Sequence, residues 1–218
     1  MEKTTGDAVK SIRHLEQHDP DFIEIRLDSM KRPCSFSRIR DATSRRLVAA
    51  NRSKADGGLF RGAEETRLET LVRAAQEGFD YIDLELRMED ITGNVRRIKK
   101  AGAKSIVSYH NLKRTPPLTT LESILALEKR AKADVCKIVC AARSSGDNLR
   151  CLRLVEKHAM KTRLVCFCMG RIGIPSRILS PALGGYFTFA SARAGRETAR
   201  GQIPIRDLRA LYKELALA

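Results

Sequence analysis

The chain has 218 residues, 43% of them hydrophobic, which is enough apolar material for one sizeable core, and it is read as a single domain over residues 1–218. Its opening, MEKTTGDAVKSIRHLEQHD, lacks the apolar centre of a signal peptide, and no apolar run approaches the roughly 18 residues that span a bilayer, so a cytoplasmic protein with no membrane partner is expected. The formal net charge of +15 attracts anions of any kind, but aromatics are only 5% and basic residues are scattered over every helix, which argues against a nucleic-acid partner.

In chain order, a first helix is predicted over 7–18, with Val9, Ile12 and Leu15 on one face. Strand-like runs follow at FIEIRLD (22–28) and RLVAANR (46–52), then a helix with an apolar stripe of Leu68, Leu71, Val72 and Ala75. Next come YIDLEL (81–86) and SIVSYH (105–110), a helix carrying Leu121, Ile124 and Leu125, and the run DVCKIVC (134–140). A helix marked by Leu149, Leu152 and Val155, with Asp147 as its expected N-cap, precedes RLVCFCM (163–169) and YFTFAS (186–191). Cys136, Cys140, Cys166 and Cys168 lie inside these apolar runs and behave as small hydrophobes; with Cys34 and Cys151 they form no Cys-x-x-Cys pair and are read as reduced thiols.

Strands alternating with helices are the pattern of βα units around a parallel sheet, so the fold class is α/β, a (β/α)8 TIM-type barrel. Seven strands are read where closure needs eight, and the shortfall lies at the start, where the helix that would follow a first strand is already under way. The expectation is a barrel lacking its first strand, with an open seam, a substitute strand, or a chain that begins further upstream.

Alternation across each strand sorts the side chains into two faces. Ile23, Ile25 and Leu27 belong against helices, which sends Glu24, Arg26 and Asp28 inward; Ile82, Leu84 and Leu86 do the same for Asp83 and Glu85. Arg52 and His110 end their strands, and Lys137 shares a face with Val135 and Val139. Barrel interiors are usually apolar and unpaired buried charge costs several kcal/mol, so these charges form either a structural ion-pair network or an active site at the C-terminal ends of the strands. A lysine among apolar neighbours and cations favours its neutral amine, a nucleophile toward a ketone. The resulting iminium is an electron sink, and His110, with an ordinary pKa near neutrality, can take the adjacent carbon proton and return one to a departing hydroxyl. Asp83 can hold that ring in one tautomer. His14, His18 and His158 are read as solvated surface, and Gly184-Gly185 as a tight turn rather than a phosphate cradle.

The segments EIRLD (24–28), ANRSKADGG (50–58), DYIDLEL (80–86), SYHN (108–111), DVCKI (134–138), GIPSR (173–177) and ARGQIP (199–204) resemble, in order, the signature segments of the type I 3-dehydroquinate dehydratases. That resemblance implies conversion of 3-dehydroquinate to 3-dehydroshikimate in the shikimate pathway, with no metal and no organic cofactor, by a homodimer. It casts Lys137 as the imine-forming residue, His110 as the acid and base, and Asp83 as the carboxylate paired with that histidine. Glu24, Arg26 and Arg52 resemble contacts to substrate hydroxyls and site carboxylates, and Arg177, Thr198 and Gln202 resemble the group that holds the substrate carboxylate. Asp56 stands where glutamate is common and Thr198 where serine is common. A class I aldolase-like Schiff-base barrel and a catalytically silent anion-binding barrel are the alternatives.

Overall fold

A computed structural model describes residues 1–31 and 34–216. They divide into two compact units, Met1–Val107 with Ala131–Asp134, and Ser108–Arg130 with the chain from Val135 onward. The first unit contains helices α1 (Thr5–Glu16), α2 (Phe36–Arg40), α3 (Glu64–Gln76) and α4 (Ile91–Lys100), strands β1 (Phe22–Arg26), β2 (Arg46–Ala50) and β3 (Tyr81–Glu85), and the first half of β4 (Lys104–Asn111). The second contains the rest of β4, strands β5 (Val135–Ala141) and β6 (Leu164–Met169), and helices α5 (Leu118–Arg130), α6 (Ser145–His158), α7 (Ile174–Ala182) and α8 (Ile205–Glu214). Strand order follows chain order, with β1 parallel to β2 and β2 to β3 in the first unit, and β5 parallel to β6 in the second. No helix among the described residues is long and apolar enough to cross a membrane.

Six of the seven expected strands are present, each within two residues of the predicted bounds. The seventh is corrected: residues 186–190 carry no strand, and Ser191 makes only an isolated bridge to Pro204. Its backbone is engaged singly instead, Tyr186 N–H donating to the Leu164 carbonyl (2.8 Å) and Ser191 N–H to that of Ile203 (2.9 Å). The described residues therefore carry six strands rather than a barrel's eight, and a 12-residue helix, α1, precedes β1 as the sequence suggested.

The core of the first unit follows the alternation. Ile23, Ile25, Leu47, Ala49, Ile82 and Leu84 are buried together with Ala8 and Ile12 of α1, Phe36 and Ile39 of α2, and Leu68 and Leu71 of α3. Helix α1 begins in a capping box, Asp7 N–H donating to Thr4 Oγ1 and Thr4 N–H to Asp7 Oδ2, both at 3.1 Å. In the second unit, Leu152 and Val155 of the expected α6 stripe are buried, with Cys151 and Leu154 beside them, while Leu149 is 58% exposed. Asp147 is not its N-cap but lies three residues after the cap, Ser144, whose N–H it accepts at 3.1 Å. The Gly184-Gly185 pair closes α7 as a turn, Gly185 N–H donating to the Ser180 carbonyl (2.9 Å) and Gly184 N–H to that of Pro181 (2.9 Å).

Candidate active site

In the first unit, the charges at the ends of β1, β2 and β3 gather as the alternation requires. Arg26 makes a two-pronged contact with Asp28, Nε to Oδ1 at 2.9 Å and Nη2 to Oδ2 at 2.8 Å. Asp28 also accepts the backbone N–H groups of Arg52 (3.2 Å) and Leu59 (2.9 Å), and these partners hold its pKa below the usual carboxylate value although burial acts the other way. Arg52 is buried, with Nη2 2.6 Å from Asp83 Oδ2 and Nη1 3.6 Å from Glu85 Oε1. Burial alone would lower the Arg52 pKa; attraction from Asp83, Glu85 and Glu24 raises it instead. Glu24 thus joins the cluster electrostatically, acting on both Arg26 and Arg52.

Two members of this cluster were not among the expected site residues. Arg67, on α3 and only 2% exposed, reaches the Asn51 carbonyl (2.8 Å) and Glu85 Oε1 (3.1 Å). Asp56 lies in the turn after β2, buried beside Glu85 and 3.1 Å from Arg87 Nε. Glu85 is already committed to Arg67 and to the N–H and hydroxyl of Ser53 (2.8 and 2.7 Å), so burial and its negative charge push the Asp56 carboxyl up to about 7. The turn needs Gly58, because a Cβ there would stand 2.0 Å from the Arg52 carbonyl oxygen.

The second unit holds the rest. Lys137 sits in mid-β5, 4% exposed, with Nζ 4.3 Å from the centre of the Phe189 ring, a cation–π contact. His110 lies near the end of β4, half-buried, with Nδ1 shielded from solvent. Arg177, in the first turns of α7 and 1% exposed, stacks its guanidinium 4.3 Å from the centre of the Phe167 ring and donates Nη1 to the Phe189 carbonyl at 3.1 Å. Its Nε and Nη2 have no hydrogen-bond partner among the described residues. Burial lowers its pKa from 12.5 to about 10. Two N–H groups side by side on a buried cation form a receptor for a planar anion with two oxygens.

Thr198 and Gln202 are brought together in the loop before α8, where Gln202 Oε1 accepts the Thr198 N–H (2.7 Å) and Gln202 Nε2 donates to Thr198 Oγ1 (3.1 Å). Gly201 allows this loop to close, since its φ is +82° and a Cβ would stand 2.4 Å from the Gly170 carbonyl oxygen. The six cysteines are free thiols, and the described residues contain no group of three or more His, Cys, Asp or Glu arranged to hold a metal ion.

Comparison with known proteins gives one consistent answer. The family model described as type I 3-dehydroquinase matches residues 1–217. The chain is 36% identical over 195 residues to a 3-dehydroquinate dehydratase of Desulfotalea psychrophila, covering 88% of this chain and 86% of that one. It is 34% identical over 214 residues to that of Pyrococcus abyssi, covering 96% and 95%. In fold it is similar to the crystal structure of 3-dehydroquinate dehydratase from Geobacillus kaustophilus, with a TM-score of 0.91 at 23% identity over 99% of this chain and 88% of that one.

Proposed function

The chain belongs to the type I 3-dehydroquinase family, and from that premise we propose that it dehydrates 3-dehydroquinate to 3-dehydroshikimate in the shikimate pathway through a Schiff base on Lys137. The observation that carries the reading is a single residue, Phe189, whose ring lies against the buried Lys137 amine and whose carbonyl accepts from the buried anion receptor Arg177. A substrate joining a ketone to a carboxylate satisfies both. The relatives named 3-dehydroquinate dehydratase support the same substrate.

In the proposed cycle, Lys137 sheds one ammonium proton and adds as the free amine to the ketone carbon; that proton returns to the adduct's oxygen, which leaves as water, and an iminium remains. His110 removes a proton from the neighbouring carbon, and the electron pair moves into the C–N system to give an enamine. The enamine then expels the β-hydroxyl, which leaves as water with the proton His110 carries, and the iminium re-forms in conjugation with the new double bond. Hydrolysis of that iminium releases the enone and frees Lys137. Of the two waters set free one is consumed, so the net change is loss of one. Arg177, with Thr198 and Gln202, receives the carboxylate.

Borohydride reduction in the presence of 3-dehydroquinate tests the reading, with a stable adduct mapped to Lys137 as the expected result. An adduct obtained only with a sugar phosphate identifies an aldolase instead, and binding without any adduct identifies a silent barrel. A homodimer acting in the cytoplasm is part of the same proposal; a monomer by sedimentation at assay concentration removes the dimer from it.

A further inference from the structure

Arg177 has three edges and two faces, and the second unit occupies them selectively. One face is covered by the Phe167 ring, with Cζ 4.3 Å from its centre. The Nη1 edge is held by the Phe189 carbonyl at 3.1 Å. The Phe167 and Phe189 rings brace one another, their centres 6.2 Å apart and their planes at 57°. In the β5–β6 register Phe167 pairs with Val139, two residues beyond Lys137, so the ring belongs to the strand face that carries the amine. What remains is the edge formed by Nε and Nη2, buried and without a partner among the described residues. That is the edge through which a guanidinium takes a carboxylate side-on, with two parallel hydrogen bonds.

We propose that Phe167 is a positioning residue for the substrate carboxylate: its ring, working with the Phe189 carbonyl, fixes the guanidinium plane of Arg177 so that the Nε–Nη2 edge is presented before the ligand arrives. An arginine side chain free to rotate would have to be ordered on binding, whereas one already seated loses little further freedom. The electron-rich face of the ring also stabilises a desolvated guanidinium that no carboxylate faces. The inference rests on the reading of Arg177 as the carboxylate receptor.

The test is steady-state kinetics with 3-dehydroquinate for F167L, F167Y, a variant with 3,4,5-trifluorophenylalanine at position 167, and R177K. Trifluorophenylalanine keeps the ring's shape but removes most of its attraction for a cation. F167L is expected to raise KM about tenfold, the size of a desolvated cation–π contact, with kcat within about twofold of wild type. The trifluoro variant is expected to match F167L, and F167Y to recover a KM within about twofold of wild type. A trifluoro variant with wild-type KM, or an F167L variant that loses kcat and melting temperature without a rise in KM, overturns the proposal. If R177K raises KM while the whole Phe167 series stays flat, the positioning role fails and the receptor stands. If R177K itself leaves KM unchanged, the reading of Arg177 as receptor fails as well.

Discussion

Replacing Arg177 with methionine should make the protein more stable and the enzyme worse. Burial moves this guanidinium from 12.5 to about 10, and at about 1.36 kcal/mol per unit the folded protein disfavours its charged form by ~3 kcal/mol. Methionine fills similar space beside Phe167 and carries no charge. The bond from Nη1 to the Phe189 carbonyl is lost with the arginine, a contribution of about 1 kcal/mol. The stacking of the guanidinium on the Phe167 ring is lost as well, about another 1 kcal/mol, so the net expectation is a gain of ~1 kcal/mol, which for a domain of this size is a rise in Tm of about 2–4 °C without ligand. A carboxylate that loses its charged, hydrogen-bonded partner forfeits about 2–5 kcal/mol, a rise in KM of about 30-fold to several thousandfold. Differential scanning calorimetry and initial rates on the same preparation read both numbers. A fall in Tm with KM unchanged would show that Arg177 is a structural residue and refute the reasoning.

Lys137→Ala should abolish turnover and borohydride-dependent labelling while calorimetric titration still detects binding of the keto acid; undiminished turnover would remove Lys137 from the chemistry. His110→Ala should slow both imine formation and elimination in stopped-flow traces yet leave Lys137 open to reduction, and a normal elimination rate would remove the imidazole from the mechanism. Asp56 gives a stability prediction. Its folded pKa of about 7 lies above the unfolded carboxylate value near 3.8, so the folded state binds the extra proton and stability falls as pH rises through that window. Asp56→Asn should therefore gain on wild type by ~2 kcal/mol between pH 4 and pH 8 in urea unfolding, a figure below the full linkage value to allow for screening by the half-exposed Arg87. A pH-independent gap between the two proteins would contradict the buried, proton-retaining carboxyl.

Strands were legible where alternation and burial agree. In β1, β2 and β3 the aliphatic residues at every second position have helices to pack against, and the polar residues between them are forced to the other face. The same logic over-read YFTFAS. Tyr186, Phe187 and Phe189 have the composition of a strand, but their rings pack against one another, tilted for Tyr186 on Phe187 and edge-on for Phe187 on Phe189, and Phe189 also contacts Lys137 and Arg177, which a period-two pattern does not encode. On α6 the stripe was legible at Leu152 and Val155 but not at Leu149, because the buried face continues through Cys151 and Asn148 instead, and a hydrophobic period discounts the asparagine. Arg67 was missed although a signal existed: it precedes Leu68 and lies four and seven residues before Leu71 and Ala74, on the buried face of α3. Asp56 was seen only as a departure from the family's pattern. Its proton is a property of Glu85 beside it, which no local spacing reveals.

The two units keep their charges differently, and each sets its own terms for an incoming anion. In the first unit guanidiniums and carboxylates pair at close range, Arg26 with Asp28, Arg52 with Asp83, Arg67 with Glu85 and Arg87 with Asp56, and Asp56, beside Glu85, holds a proton up to about pH 7. A second anion brought against that cluster would be repelled by groups already paired, whereas a hydroxyl can donate to their remaining lone pairs. Among the described residues of the second unit, no carboxylate faces the buried Arg177 and two of its N–H groups are open. A cation left in that state is destabilising until an anion arrives, so the free energy withheld from folding becomes available to binding. The net charge of +15 attracts any anion from a distance. Selection at short range falls to that one unsatisfied edge, which rewards a planar acid group and gives a neutral ligand nothing.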